Sequence, residues 1–263
     1  VQQAMSREGI QLILNCNIKL IERKDAEKVI YYEANGKEDA VTVDEILVGV
    51  GRSPNVEGLN LEAVGVKYDK KKGVIVNDYL QTTNPRIYAA GDVCMKWKFT
   101  HAADAAARIL IQNALFSIFG LGRKKLSSLT MPWCTYTDPE VAHVGMYEQE
   151  AAERGIEVDT FYIPLDDVDR AIVDGEAEGF AKVHLKKGTD KILGATIVAR
   201  HAGDMIGEIT LAMVGNLGLG AIANTIHPYP TQAEVIRKAA DAYNRTRLTS
   251  LKKITSVWLA WMR

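Results

Sequence analysis

The sequence predicts two architectures in succession, an α/β first half and an α+β second half, and three observations carry that reading. An apolar stretch, Ile87-Tyr88-Ala89-Ala90, stops at Gly91-Asp92 and is followed by a helical, alanine-rich run from about Thr100 to Phe119. A second apolar run, Glu45-Ile46-Leu47-Val48-Gly49-Val50-Gly51, reads as a buried strand ending in glycines. Beyond Leu129, several strand-like segments are followed by helices, the order of an α+β domain with an antiparallel sheet.

The 263 residues are enough for one large or two ordinary domains. Apolar content of 47% and charged content of 25% are ordinary for a soluble globular protein. Thirty-three acidic residues nearly cancel 32 basic ones, so bulk charge gives no argument for nucleic-acid binding. No apolar run reaches the roughly 18 residues a spanning helix needs, and no signal peptide is visible. Cys16, Cys94 and Cys134 lie too far apart for a disulfide framework, and reduced, inert thiols fit a cytoplasmic protein.

Taken in order, residues 3–8 read as helix, and Ile10–Leu14 and Lys19–Glu22 as strands. Val29–Glu33 enters an Asn35-Gly36 turn and pairs with Ala40–Val43. The strand over 45–51 then leads into Arg52-Ser53-Pro54-Asn55. Val66–Tyr68 and Gly73–Asn77 are short strands before the Gly91-Asp92 element. Glycine there lets a ligand approach the backbone, the carboxylate can accept from ligand hydroxyls, and the next helix points free N–H groups at the same place. Farther on, a helix is expected near 147–154, strands at 159–163, 179–185 and 192–198, and helices at 202–216 and 231–243. From Arg245 to Arg263, Leu248, Leu251, Ile254, Val257, Trp258 and Trp261 recur at spacings of three or four among basic residues, an amphipathic basic helix.

Four elements in this order resemble the pyridine nucleotide–disulfide oxidoreductases: the Gly51-Arg52-Ser53-Pro54-Asn55 exit, the Gly91-Asp92 flavin motif, the Thr137-Asp138-Pro139-Glu140 entry, and Pro230-Thr231 with Glu234. The resemblance implies residues 1–55 as the end of a nicotinamide-dinucleotide domain, 56–128 as the C-terminal part of an FAD domain, 129–244 as a dimerisation domain, and 245–263 as a tail. It implies an oxidoreductase that passes a hydride from NAD(P)H to FAD and on to a disulfide or similar acceptor. No Gly-x-Gly-x-x-Gly opens a βαβ unit and no Cys-x-x-x-x-Cys pair occurs. With its start at Val1, the chain therefore looks like the C-terminal half of such a protein, its N-terminal half missing, and is expected to retain neither cofactor by itself.

On this resemblance Asp92 contacts the ribityl chain of FAD and Gly91 allows the approach. Thr100, His101 and Ala102 begin the helix whose N–H groups face the flavin, with His101 a helix-start residue rather than a catalyst. Gly51 and Arg52 mark the nicotinamide-domain exit. Many disulfide-reducing members read His-x-His-Pro-Thr-x-x-Glu near the end, the second His protonating the leaving thiolate and the Glu orienting it. Here the first His is His227, the Glu is Glu234, and Tyr229 stands in the second position. A phenol titrates near 10 against about 6.5 for imidazole, which makes it a poor proton shuttle at neutrality. Tyr at this place is similar to mercuric reductases, but their C-terminal vicinal cysteine pair is lacking and no metal site is assigned. Tyr229 is either an acceptor-site residue or interface packing, and His227 is a candidate substitute acid–base. A homodimer through 129–244 is implied, with two-fold symmetry. The tail either packs on that dimer or meets a membrane surface or partner. The competing function is a homodimerisation module without activity of its own.

Overall fold

The N-terminal unit, residues 2–124, begins with a short helix, α1 (Gln2–Arg7), and a meander of three antiparallel strands, β1 (Cys16–Lys24), β2 (Glu27–Ala34) and β3 (Lys37–Val43). In this computed structural model residues 1–262 are described, with the side chains of 248–260 outside that description. The β2–β3 turn is the Asn35-Gly36 pair, both with positive φ, the geometry that matches the right-handed twist of a hairpin. Two expected strands do not form. Ile10–Leu14 and Glu45–Gly51 are irregular, and Leu47, Val48 and Val50 are 93%, 72% and 86% exposed rather than buried. An apolar run of this kind becomes a strand through pairing on both edges, and neither run is paired into a sheet among the described residues.

The rest of the unit is built around short pieces. The strands β4 (Tyr68–Asp69) and β5 (Gly73–Val74) are shorter than expected, and Val56, Val66 and Val74 form a small core beside them. The stretch before Gly91 makes only isolated bridges, Val76 with Thr82 and Gln81 with Tyr88, instead of a strand. Its polar residues are spent on the fold: the Thr83 hydroxyl donates to the Gly65 carbonyl at 2.7 Å and the Asn84 amide to the Val64 carbonyl at 2.7 Å. Gly73, at φ +92°, lies so close to the turn after Gly91 that a Cβ would sit 2.0 Å from the Val93 carbonyl oxygen. The helix α2 (Thr100–Leu115) buries Ala102, Ala106, Ile109 and Asn113 on one stripe. It ends before the expected Phe119, because Asn113 bonds both ways to Lys124 and the intervening apolar residues stay exposed.

The C-terminal unit, residues 125–263, is a five-stranded antiparallel sheet with helices against one face. Its strands are β6 (Pro132–Thr135), β7 (Glu140–Gly145), β8 (Val158–Pro164), β9 (Phe180–Lys186) and β10 (Ile192–Ala199), in the order β6-β7-β10-β9-β8. The helices are α3 (Glu148–Glu153), α4 (Asp169–Val173), α5 (Ala202–Val214), α6 (Leu219–Ala223) and α7 (Glu234–Trp261). Strand alternation sends Ala142, Val144, Ala181, Val183, Leu185, Ala195 and Ile197 into one core with Ile206 and Ile209 of α5 and Val235 and Ile236 of α7. Each large aliphatic side chain buried there contributes about 1.5–3 kcal/mol. Glu140 of the Thr-Asp-Pro-Glu motif closes this core at one corner: its carboxylate accepts the Gly203 N–H at 2.8 Å in the first turn of α5, where no side chain of the N-cap residue does so. The segment after Asn244 continues α7 without a break; the amphipathic face expected there falls on side chains outside the described residues.

Candidate functional site

The predicted residues fall into two groups, one in each unit. In the N-terminal unit Gly91, Asp92 and Val93 form a single 3-10 turn, with Gly91 at φ +80° and its carbonyl accepting from the N–H groups of Cys94 and Met95. A Cβ at Gly91 would lie 3.2 Å from the Ala103 methyl, so glycine here brings the turn against α2. The turn leaves the Asp92 carboxylate half exposed. Arg52 reaches it across 40 residues: its guanidinium donates to Asp92 Oδ2 at 3.0 Å and to the Lys98 carbonyl at 2.8 Å. The Lys98 ammonium in turn donates to the Asp92 backbone carbonyl at 2.9 Å. Asp92 is thus fixed at both its side chain and its backbone, and its Oδ1 has no partner among the described residues.

Thr100, His101 and Ala102 open α2, as the sequence predicts. The N-cap residue, Phe99, offers no capping side chain to this helix start. Ala102 is buried, and the His101 ring stacks on Phe99 at 5.2 Å. Gly51 takes φ +114° just before Arg52. A close backbone approach at Gly91 and a half-exposed carboxylate beside the start of a helix are a donor and acceptor set that could serve one side of a polyhydroxylated cofactor such as FAD. Lys98 is the part that the sequence reading missed; an isolated lysine six residues after the Asp gives no signal.

In the C-terminal unit His227, Tyr229 and Glu234 line one cavity of about 340 Å³, together with Thr225, Pro228 and Arg237. No hydrogen bond joins the three to one another among the described residues; each has another partner. The His227 ring meets the Thr225 carbonyl through Nδ1 at 3.0 Å and Glu208 through Nε2 at 2.9 Å, and only 7% of its side chain is exposed. The Tyr229 hydroxyl donates to Asp169 Oδ2 at 2.9 Å, in a side chain otherwise exposed. That hydrogen bond, then the Asp169 charge, and more weakly the Glu234 charge, push the phenol above its ordinary value of 10, so it is protonated at neutral pH. Glu234 pairs with Arg237, whose guanidinium also meets Asp241 at 2.9 Å. Sequence reading missed Asp169 and Glu208, which lie 60 and 19 residues from their partners. Arg237 was missed too, although its i,i+3 spacing from Glu234 is a signal that could have found it.

The Cys94 thiol donates to the Gly91 carbonyl at 3.6 Å in the first group, and no cysteine lines the cavity of the second. Burial pushes Cys94 and Cys134 up to about 11, with the Glu140 charge adding at Cys134, and a thiol in that range is a poor nucleophile at neutrality. Among the described residues no cluster of three or more His, Cys, Asp or Glu could hold a metal ion, and no helix is long and apolar enough to cross a membrane.

Comparison with known proteins adds an independent line. Residues 1–107 match the family described as pyridine nucleotide-disulphide oxidoreductase, and residues 131–240 match its dimerisation domain. A mercuric reductase of Staphylococcus aureus is 39% identical over 93% of this chain, and a dihydrolipoyl dehydrogenase of Thermus scotoductus 34% identical over 96%. The chain spans about half the length of these curated relatives, 44% and 54% respectively. Among solved structures, LpdA of Mycobacterium tuberculosis is similar at a TM-score of 0.82 and 25% identity, over 92% of this chain and 51% of that one. The HOCl-induced flavoprotein disulfide reductase RclA of Escherichia coli shares the fold at a TM-score of 0.80, over 91% of this chain and 54% of its own.

Proposed function

The chain belongs to the pyridine nucleotide-disulphide oxidoreductase family, and from that premise we propose that it works as part of an NAD(P)H-dependent flavoenzyme delivering electrons to a disulfide or metal-type acceptor, in the manner of mercuric-reductase-like members. The observation that carries this reading is the seat made by Gly91, Asp92 and the start of α2, with Arg52 holding the carboxylate. FAD, when bound, supplies the hydride relay. Asp92 would accept a ribityl hydroxyl through its free oxygen, Gly91 would admit the chain, and the N–H groups at Thr100, His101 and Ala102 would face the electron-rich edge of the ring. The chain contains no glycine-rich pyrophosphate loop opening a βαβ unit, so cofactor retention by these 263 residues alone is not part of the proposal.

At the other group, Tyr229 would present a neutral hydroxyl to the acceptor, kept protonated by Asp169, and so orient the acceptor rather than remove a proton from it. His227 has both nitrogens engaged and would act as a support, not as the acid–base. We place the protein in the cytoplasm, where partly buried free thiols such as Cys94 and Cys134 persist. Tyr229→Phe in the flavin-loaded protein that contains this chain tests the reading by stopped flow. Acceptor turnover should change while flavin reduction by NAD(P)H stays intact; loss of flavin reduction, or no change in either half-reaction, would overturn it.

A second reading, a homodimerisation module without activity of its own, is favoured by one feature. Leu211 and Val214 of α5, with Leu217 and Ile226 beyond it, are exposed apolar side chains in a domain whose family role is self-association.

A further inference from the structure

Glu208, the partner of His227, has no role in the reading above. Glu208 sits on α5, in the middle of a helix whose other face is core, and it is the carboxylate that meets the nearly sealed His227 ring. The ring is engaged on both sides, by a carboxylate and by the Thr225 carbonyl, so the loop after α6 is pinned to α5 at this residue. Little slack follows the pin. Pro228 and Pro230 flank Tyr229, each with φ locked by its ring, and the Thr231 hydroxyl folds back to the Pro228 carbonyl at 2.9 Å. Two residues beyond His227, the Tyr229 hydroxyl lands on Asp169 of α4 at 2.9 Å.

We propose that Glu208 is a positioning residue: acting through His227, its carboxylate sets the place of Tyr229 and so the contact between the Tyr229 hydroxyl and Asp169. The functional weight of this rests on the reading of Tyr229 as acceptor-facing; the geometry does not. The test uses the chain itself, labelled with 3-fluorotyrosine, with the residue-229 fluorine resonance identified by its loss in Tyr229→Phe. Fluorination makes the phenol more acidic, so its titration can be followed under mild conditions.

Asp169→Asn should lower the titration midpoint, by about 0.5 pH or more, because a neighbouring carboxylate opposes the phenolate. Glu208→Ala should lower it by a similar amount with melting temperature and circular dichroism unchanged, and Glu208→Asp should restore most of the shift. A midpoint moved by Asp169→Asn but untouched by Glu208→Ala overturns the positioning role; one moved by neither overturns the contact and the role together. If the alanine variant does not fold, Glu208→Gln and His227→Gln replace it, each expected to lower the midpoint, and no movement in either overturns the proposal. Failure of the functional reading is separate: it appears in the half-reactions of Tyr229→Phe, as lost flavin reduction or as unchanged acceptor kinetics.

Discussion

Asp92→Ala separates a structural carboxylate from a ligand-binding one by size of effect. Among the described residues Asp92 makes one ion pair, to Arg52 at 3.0 Å, between side chains 46% and 64% exposed. An exposed pair of this kind is worth about 0–1 kcal/mol. The other tie, from Lys98 to the Asp92 carbonyl, is to the backbone and survives the substitution. The flavin-free chain should therefore lose no more than about 1 kcal/mol, read by urea unfolding. Toward a flavin the same carboxylate would make a charge-assisted hydrogen bond to a ribityl hydroxyl, worth about 1.5–3 kcal/mol. At about 1.4 kcal/mol per factor of ten, retention should weaken roughly 10- to 150-fold. The assay is release of flavin on dialysis from the flavin-loaded protein that contains this chain, followed by visible absorbance. Unchanged retention, or a loss above about 2 kcal/mol in the flavin-free chain, would refute the assignment, since an exposed pair cannot supply that much.

Three further outcomes are expected. The purified chain should be colourless, and stoichiometric flavin absorbance would refute the requirement for a pyrophosphate loop. It should be a dimer by light scattering at micromolar concentration, with exposed Tyr136, Tyr229 and the half-buried Trp133 as suitable anchors; a monomer would contradict this. Acid should destabilise it, because burial holds His143 and His184 below the ordinary imidazole value of 6.5 despite the opposing influence of Glu150 and the Gly145 carbonyl at His143 and of Glu148 at His184, where Lys182 adds to the lowering. The unfolded chain then binds protons that the folded chain does not, so the stability present above 6.5 is lost as pH falls below it. The urea midpoint should drop on acidification from about pH 7 to about pH 5.5, and His143→Gln with His184→Gln should flatten that slope; a wild-type profile already flat would sink the argument.

What the sequence made legible was what local physics decides. Alternation placed β8, β9 and β10 within a residue or two, and Asn35-Gly36 announced its hairpin. Ile10–Leu14 and Glu45–Gly51 failed because a strand of that composition is completed by neighbours, and hydrophobicity alone does not say whether they are present. The site was legible as residue types, not as pairings. His143 and His227 both have side chains largely withdrawn from solvent, yet one faces the Thr196 hydroxyl and a carbonyl while the other faces a carboxylate and a carbonyl. Nothing in the flanking sequence distinguishes them.

The substitution at 229 also explains where Glu234 has gone. A carboxylate with its side chain 12% exposed needs a partner, because an unpaired buried charge is costly. In the motif that the sequence resembles, an imidazole stands two residues beyond His227 and takes that role. Here a phenol stands there, and its hydroxyl goes to Asp169 instead. Arg237, one turn along α7, meets Glu234 and is itself balanced by Asp241, so the charge is satisfied within a single helix. Tyr229 and Glu234 thus belong to two separate networks, one spanning α4 and the loop, the other internal to α7. Placing a histidine at 229 would not by itself rebuild an imidazole–carboxylate pair, because Glu234 is already held by an arginine that no substitution at 229 removes.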